Sequence, residues 1–143
     1  MKFLGDSVLE NNPIVIAGGG HAGIEAALAA ARLKIPSIIV TMEKRAIGRL
    51  SCNPAIGGLG KSHLVKEIDA LGGIMGMAAD HASIQYKTLN KTKGRAVWSL
   101  RAQVDKKKYP LYVQRSIKSN KYIQILEDEV VSFSVKKNLV KSV

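Results

Sequence analysis

A run of glycines set between two apolar segments constrains this chain more than any other feature. Residues 14–17 are apolar and β-branched, as expected of a strand that is buried on both faces. After the glycines, the alanine-rich residues 24–34 predict a helix, which Pro36 ends because proline disfavours helical geometry in the residue before it. Residues 37–41 then predict a second buried strand. The order predicts a right-handed βαβ unit.

The glycines have the spacing G-x-G-x-x-G that binds a dinucleotide when it follows a strand and opens a helix. Gly18 would make the turn, Gly20 would let the pyrophosphate approach the backbone, and Gly23 would let helix and strand pack closely. Open amides and the helix dipole would then hold the phosphates. Glu43 is a candidate for the ribose hydroxyls or else a solvated loop charge. The predicted cofactor-binding residues of this part are Gly18, Gly19, Gly20, His21, Ala22, Gly23 and Glu43.

A second glycine-rich stretch, residues 51–61, carries the only cysteine of the chain, Cys52. Its Asn-Pro step predicts a turn, and its three glycines leave backbone amides open to a ligand. The stretch therefore presents a candidate catalytic thiol. The alternative is that Cys52 is a small buried hydrophobe and that the glycine-rich segment is only a mobile linker. A phosphate-loop motif would need glycine in place of Ala55 and a strand before it, so a nucleotide-hydrolysing function is not favoured.

Downstream of this stretch the pattern predicts a series of further elements. Residues 42–60 and the basic residues 90–101 are predicted as loops. Pro110 is predicted to kink or restart the last helix. The predicted helices are 61–71, 74–79 and 103–119, and the predicted strands are 83–89, 122–126, 129–135 and 139–143, with a turn at 136–138.

Composition limits the class of protein. The 143 residues include 22 Lys and Arg against 11 Asp and Glu, a formal net charge of +11 that favours a polyanionic partner such as nucleic acid, or serves solubility only. No apolar run reaches the ~20 residues that span a bilayer. A lone cysteine fits a reducing cytosol, so we expect a cytoplasmic protein with no membrane partner and no metal. Residues 1–12 are predicted as a lead-in, and 13–143 as an α/β domain.

The two glycine-rich stretches together resemble those of the MnmG (GidA) family, the FAD-containing subunit of an enzyme that modifies the wobble uridine of tRNA. The similarity extends from about Pro13 to about Phe133. The most specific segment is Cys-Asn-Pro-Ala-Ile-Gly-Gly. The matching segments are Gly-Gly-Gly-His-Ala-Gly at 18–23, Ser-Cys-Asn-Pro-Ala-Ile-Gly-Gly at 51–58 with Gly60 and Lys61, His-Leu-Val-Lys-Glu-Ile-Asp-Ala-Leu-Gly-Gly at 63–73, and Arg-Ala-Gln-x-Asp at 101–105.

The resemblance implies a Rossmann-like FAD-binding domain of the glutathione-reductase type. It implies NADH as reductant, methylenetetrahydrofolate as carbon donor, and addition of an aminomethyl or carboxymethylaminomethyl group to C5 of the uridine. The implied partners are tRNA, the GTPase subunit MnmE and a second copy in a homodimer. Val130 corresponds to a position near the adenine end of FAD. Cys52 corresponds to one of two functionally important cysteines, and either attack on C6 of the uracil or proton transfer would suit a thiol.

The implied RNA substrate gives the basic residues a candidate role in phosphate contacts, with an indole available for base stacking. The alternative is a solvated basic loop with a half-buried indole. The tRNA-binding candidates are Lys61, Lys91, Lys93, Arg95, Trp98 and Arg101.

The chain departs from the family pattern in three ways. It is much shorter than full-length members, so the domain is expected to be incomplete, with its C-terminal β-hairpin cut short. Arg95 stands where proline is usual, and Pro110 falls within a helix that is normally unbroken. We therefore expect a fragment, split gene or truncated frame that binds FAD weakly, lacks the MnmE and dimer contacts, and does not turn over. The alternatives are a flavin-dependent oxidoreductase acting on a small molecule and a vestigial nucleic-acid-binding domain without catalysis.

Overall fold

The computed structural model describes residues 13–143, which divide into two units. The first unit comprises the residues up to Ile47 together with 120–143, and the second comprises 48–119. Short 3₁₀ turns occur at Lys44–Ala46, Lys91–Lys93 and Arg95–Val97. In chain order the elements are β1 (Ile14–Ala17), α1 (His21–Arg32), β2 (Ser37–Thr41), β3 (Ala55–Gly57), α2 (Ser62–Ala70), α3 (Met75–Ala82), β4 (Ser83–Leu89), β5 (Ser99–Val104), α4 (Lys108–Lys118), β6 (Ile123–Glu127), β7 (Ser134–Lys136) and β8 (Leu139–Ser142).

The first unit contains the predicted βαβ crossover. Its main sheet has the order β1-β2-β6 with all strands parallel, and Ser37 aligns with Ile14 on one side and with Ile123 on the other. Helix α1 buries Ile24 and three alanines. The small alanine side chains let the helix lie close to the sheet. Ile39 of the central strand is fully buried. The α/β fold with a parallel sheet is therefore confirmed.

Strand β1 is less buried than its sequence predicts. Ile14 is 46% exposed and Val15 is 41% exposed, although an apolar, β-branched run is typical of a strand covered on both faces. Among the described residues β1 pairs with β2 alone. Val15 lines an open cavity on a sheet face together with Ile38 and Val40, so that face of the strand is not covered.

The second unit is an antiparallel sheet packed with three helices. The sheet has the order β3-β5-β4, so the central strand is the one nearest the C-terminus. Helices α3 and α4 pack on each other, with the rings of His81 and Tyr112 4.7 Å apart. The buried hydrophobic residues of this unit are Ile56, Ile74, Ala78, Ala79, Ala82, Ala102, Val104, Tyr109, Val113 and Ile117.

Two strands of this unit were predicted as other structure. Residues 55–57 form β3 inside the predicted loop 42–60. Strand β5 covers the end of the predicted loop 90–101 and the first two residues of the predicted helix 103–119. Both strands gain their hydrogen-bond partners from distant parts of the chain, Ala55 pairing with Gln103 and Lys87 with Arg101. Such pairing overrides local propensity.

Of the two effects predicted for Pro110, the kink is wrong and a helix start close to it is confirmed. Helix α4 begins at Lys108, so Pro110 lies in its first turn. Backbone amides in the first turn have no intrahelical acceptor, and a residue without an amide hydrogen costs little there.

The C-terminal residues form a hairpin as predicted, but its first strand is short. Only Ser134–Lys136 of the predicted strand 129–135 is extended and paired. The turn between β7 and β8 has Lys137 at φ 52° and Asn138 at φ 59°, the pair of positive values that a type I′ hairpin turn requires.

Within residues 13–143, no helix combines the length and apolarity that crossing a membrane requires.

Candidate functional site

The glycine turn between β1 and α1 leaves an open space in front of the helix. Gly18 has φ +108° and donates its amide to the carbonyl of Val40 at 2.8 Å, which fixes the turn to the sheet. Gly20 precedes the helix as its N-cap, and the first turn of α1 contains no acidic residue. A Cβ placed at Gly18 or Gly20 would meet nothing within 4 Å. The space and the helix N-terminus suit an anionic group.

The other two glycines of the turn are required by packing. A Cβ at Gly23 would collide with the carbonyl oxygen of Gly18 and would lie 3.2 Å from Cγ2 of Ile16. A Cβ at Gly19 would lie 2.8 Å from Cγ1 of Ile47. Gly23 thus lets α1 lie close to β1, as its place in the motif predicts.

The carboxyl ends of the three parallel strands bring the predicted cofactor residues to one edge of the sheet. Gly18 follows β1, Glu43 follows β2, and Val130 follows β6. The amide of Asp128 donates to the carbonyl of Thr41 at 3.0 Å, which joins two of these strand ends. Ligands of open parallel sheets bind outside the carboxyl ends of the strands, so this edge is the candidate cofactor site.

Glu43 and Val130 have distinct surroundings at this edge. Glu43 is exposed and precedes the 3₁₀ turn Lys44–Ala46, its carbonyl accepting a hydrogen bond from the amide of Ala46 at 3.0 Å. Val130 lines an open cavity of about 520 Å³ on the sheet face formed by Val15 and Val40. The edge therefore offers an exposed carboxylate and an apolar cavity.

Cys52 lies in the second unit and is exposed, so its alternative reading as a buried hydrophobe is wrong. The hydroxyl of Ser51 lies 4.0 Å from the Cys52 sulfur. Its loop leads directly into β3, and the carbonyl of Pro54 accepts the amide of Val104 at 2.8 Å. The thiol is therefore presented at the end of the antiparallel sheet, in reach of a molecule in solution.

The glycines after Cys52 form a fixed turn. Gly57 has φ +84°, and a Cβ there would collide with the carbonyl oxygen of Leu100. The hydroxyl of Ser62 donates to that same carbonyl at 2.7 Å and accepts the amide of Gly58 at 3.0 Å. Ser62 begins α2, and its hydroxyl ties that helix to the sheet.

All six predicted tRNA-binding residues lie in the second unit, and four of them are at or next to the 3₁₀ turns between β4 and β5. The indole of Trp98 is 46% exposed and donates to the carbonyl of Lys91 at 3.3 Å. The guanidinium carbon of Arg95 lies 5.8 Å from the centre of that ring, in cation–π range. Lys93 is exposed on the same connection. The structure thus brings Lys91, Lys93, Arg95 and Trp98 together.

Arg95 occupies the first position of the 3₁₀ turn Arg95–Val97. Proline favours the first position of a helix but is not needed there, so the departure from the family pattern leaves the turn intact. The other two candidates are on regular elements. Lys61 is the N-cap residue of α2, and Arg101 lies on the central strand β5.

Two polar residues near this region were not predicted as functional. Asp105 accepts the amides of Lys107 at 2.7 Å and Lys108 at 3.0 Å, and these hydrogen bonds lower the pKa of its carboxyl group. Tyr86 donates to Asp80, which raises the pKa of the phenol. The Asp105 contacts follow the local pattern of a helix N-cap, which the predicted helix start at 103 concealed. The contact of Tyr86 with Asp80 joins β4 to α3 and has no local signal. Among the described residues, no group of three or more His, Cys, Asp or Glu side chains could hold a metal ion.

The family model described as Glucose inhibited division protein A matches residues 13–143. The chain belongs to this family. The chain is 50% identical to the tRNA uridine 5-carboxymethylaminomethyl modification enzyme MnmG of Zymomonas mobilis over 130 residues, 91% of this chain and 21% of that protein. It is 49% identical to the enzyme of the same name from Aquifex aeolicus over 136 residues, 95% of this chain and 22% of that protein.

Solved structures agree with this membership. The structure of Aquifex aeolicus GidA matches with a TM-score of 0.85 and 51% identity, covering 90% of this chain and 21% of that one. The Pseudomonas aeruginosa protein pqsL matches with a TM-score of 0.60 at 12% identity, covering 90% of this chain and 36% of that one, which shows the shared fold only. The chain spans about a fifth of the length of the curated relatives above.

Proposed function

We propose that this chain is the FAD-binding part of an enzyme that modifies the wobble uridine of tRNA at C5. The observation that carries the proposal is the glycine turn, where Gly18 and Gly20 leave open space before α1 while Gly23 is required by packing. A pyrophosphate needs that combination of exposed amides and close backbone. The names of the relatives from Zymomonas mobilis and Aquifex aeolicus supply the substrate.

The residues at the carboxyl ends of the parallel strands would bind different parts of FAD. Gly18, Gly19, Gly20, His21, Ala22 and Gly23 would hold the pyrophosphate, Glu43 the ribose hydroxyls, and the backbone of Val130 the adenine end. When bound, FAD would supply two-electron redox chemistry. The protein's own contribution at this edge is binding and orientation.

Cys52 would act on the uridine. Its exposure suits either role open to a thiol: bonding of its sulfur to C6 of the uracil, which makes C5 nucleophilic, or transfer of a proton. NADH as reductant, methylenetetrahydrofolate as carbon donor, MnmE and a second copy of the chain as protein partners, and a cytoplasmic location complete the proposal. Because the relatives are named as tRNA-modifying enzymes, an oxidoreductase acting on a small molecule is not favoured.

The first test separates the glycine turn from the rest of the cofactor site. The 143-residue chain is titrated with FAD, ADP and FMN, with ligand binding followed by fluorescence and calorimetry. If the turn holds the pyrophosphate, FAD and ADP bind and compete with each other, while FMN, which has no pyrophosphate, binds far more weakly. Equal binding of FMN and FAD, or no competition by ADP, would contradict the assignment.

The second test concerns Cys52, the only thiol in the chain. A maleimide should label Cys52 readily because the residue is exposed. An unmodified tRNA transcript with uridine at the first anticodon position should slow that labelling if the thiol lies in the substrate site. Labelling at the same rate with and without the transcript would remove Cys52 from the proposed site.

A further inference from the structure

The hairpin of β4 and β5 carries charges of one sign only. Between Ser83 and Val104 the chain carries five basic residues and no acidic residue. Two of the five, Lys87 and Arg101, are on the strands, and the others are on the connection that also carries Trp98. Lys87 was not among the residues that the sequence indicated.

The strand register places Lys87 and Arg101 directly opposite each other. Directly paired residues of an antiparallel sheet project from the same face, and like charges in that arrangement destabilise the sheet. Gly57 of β3 continues the row on the other side of Arg101 and adds no side chain to cover it. The Lys87–Arg101 pair therefore costs stability and leaves two cations on an open face. An anion bound from outside would relieve the repulsion between them.

This face of the sheet is turned away from the helices. The opposite face, with Ile56, Tyr86 and Leu100, lines a small cavity against α2 and α3. Lys87 is exposed and Arg101 is half-buried on the outer face. The row is therefore open to solvent while its supporting strands are held from behind.

The next outward row is polar and uncharged. Gln103 pairs with Gln85 on one side and with Ala55 on the other. Gln103 is two residues from Arg101 and alternate residues of a strand share a face, so this row lies beside the basic row, about 7 Å from it. The loop of Cys52 enters β3 at Ala55, the residue that pairs with Gln103. Amide side chains can bond base edges, whereas cations bond phosphates.

We infer that the outer face of β4 and β5 is an RNA-binding ribbon, in which Lys87 and Arg101 together hold backbone phosphate beside the row of Gln85 and Gln103. The inference rests on the proposed RNA substrate, and it adds Lys87, Gln85 and Gln103 to the surface. A single strand would run from the basic connection around Trp98 along the hairpin towards the loop of Cys52. The cations are followed by amide side chains and then by the loop of the thiol. This order favours a nucleic acid over an acidic polypeptide, because a nucleic acid offers both phosphates and base edges.

The test is the salt dependence of binding to an unmodified tRNA transcript with uridine at the first anticodon position. The binding variant is Lys87→Gln with Arg101→Gln. The control is Lys106→Gln with Lys118→Gln, which changes the net charge equally at two exposed positions off the ribbon. Each lost single-strand phosphate contact lowers the slope of log K against log salt by about 0.7. The binding variant should therefore lose about 1.4 in slope and bind on the order of 20-fold more weakly at 0.1 M salt.

Several other outcomes of these measurements would contradict the proposed RNA-binding ribbon, each for a different reason. Equal losses in both variants would mean that only net charge matters, and no loss in the binding variant would place the RNA elsewhere. Displacement of the transcript by polyglutamate at equal charge concentration would reassign the surface to acidic polypeptides. Failure of the unaltered chain to bind the transcript would overturn the ribbon as well, whereas its FAD and ADP titrations test the cofactor proposal separately. The exchange Lys87→Arg with Arg101→Lys should retain the slope, and circular dichroism checks that each variant is folded.

Discussion

At the scale of single residues, neighbouring glycines of one motif serve opposite physical purposes. Gly20 leaves room for something outside the protein, and Gly23 leaves room for the protein itself. The motif spacing predicts both roles, but only the contacts around each Cα show how little space Gly23 has. The distinction can be tested because the same substitution at the two positions should have different effects.

Gly23→Ala should damage folding, and Gly20→Ala should damage ligand binding. The added methyl group at position 23 would collide with the Gly18 carbonyl, so we expect a loss of roughly 1–3 kcal/mol in the free energy of unfolding. At position 20 the methyl group meets nothing within 4 Å and φ is −76°, so stability should change by less than about 0.5 kcal/mol. Urea unfolding and FAD titration of both variants measure the two effects. Similar stability losses in both variants would contradict this assignment.

The Asp105 carboxylate accepts two backbone hydrogen bonds at the start of α4. The amides of Lys108 and Lys107 lower the pKa of the Asp105 carboxyl group in the folded chain. A lowered folded pKa stabilises the protein above the unfolded value of about 3.9, and this contribution is lost as the pH falls through the folded pKa. The unfolding midpoint of the unaltered chain should therefore exceed that of Asp105→Asn at neutral pH.

That difference should shrink as the pH is lowered below about 4, because protonation removes the charge that asparagine lacks at every pH. Thermal unfolding of both proteins from pH 7 to pH 2 provides the measurement. A difference that does not change with pH would show that the hydrogen-bond geometry, and not the charge, accounts for the effect.

At the scale of elements, the position of a residue within a helix matters more than its identity. Pro110 would break α4 at its middle but is tolerated in its first turn, where its missing amide hydrogen has no acceptor. The helix was predicted to start at residue 103 because β5 could not be recognised from local pattern.

Pro110→Ala should change the free energy of unfolding by less than about 1 kcal/mol. Arg115→Pro, placed inside the same helix, should cost about 3 kcal/mol or more, because it removes an i to i−4 hydrogen bond and crowds the preceding turn. Urea unfolding measures both variants. A large gain from Pro110→Ala would mean that the proline strains α4 after all.

The hairpin of β4 and β5 should show a conflict between stability and binding. Lys87→Gln removes the repulsion with Arg101 and should stabilise the chain by about 0.2–1 kcal/mol at low salt. The gain should disappear at 1 M salt, where charges are screened over about 3 Å. Unfolding curves at both salt concentrations test this, and a destabilised variant would mean that Lys87 makes a favourable contact.

At the scale of the whole molecule, each unit presents an open sheet surface of different character. The outer face of the antiparallel sheet is basic and polar, whereas the parallel sheet has a cavity whose lining is mainly apolar. Phe133 and Val131 line that cavity and are 67% and 84% exposed. Contiguous apolar surface of this kind promotes association.

The chain should therefore self-associate as its concentration rises, and Val131→Ser with Phe133→Ser should reduce the association. Leu33→Ser is the control, since Leu33 is 73% exposed but lies off the cavity. Sedimentation velocity at several concentrations provides the measurement. An equal reduction in the control would mean that association depends on general hydrophobicity and not on this cavity.

What the sequence by itself determined about this protein is local in origin: the βαβ unit, the glycine turn before α1 and the membership of the GidA family. Each depends on residues that are near one another in the chain, where periodicity and turn chemistry act directly. Tertiary structure decided the rest. Strands β3 and β5 exist because distant segments pair, and the same register sets Lys87 against Arg101. Glu43 and Val130 share an edge with Gly18 because β1, β2 and β6 are parallel, a relation that no local pattern contains.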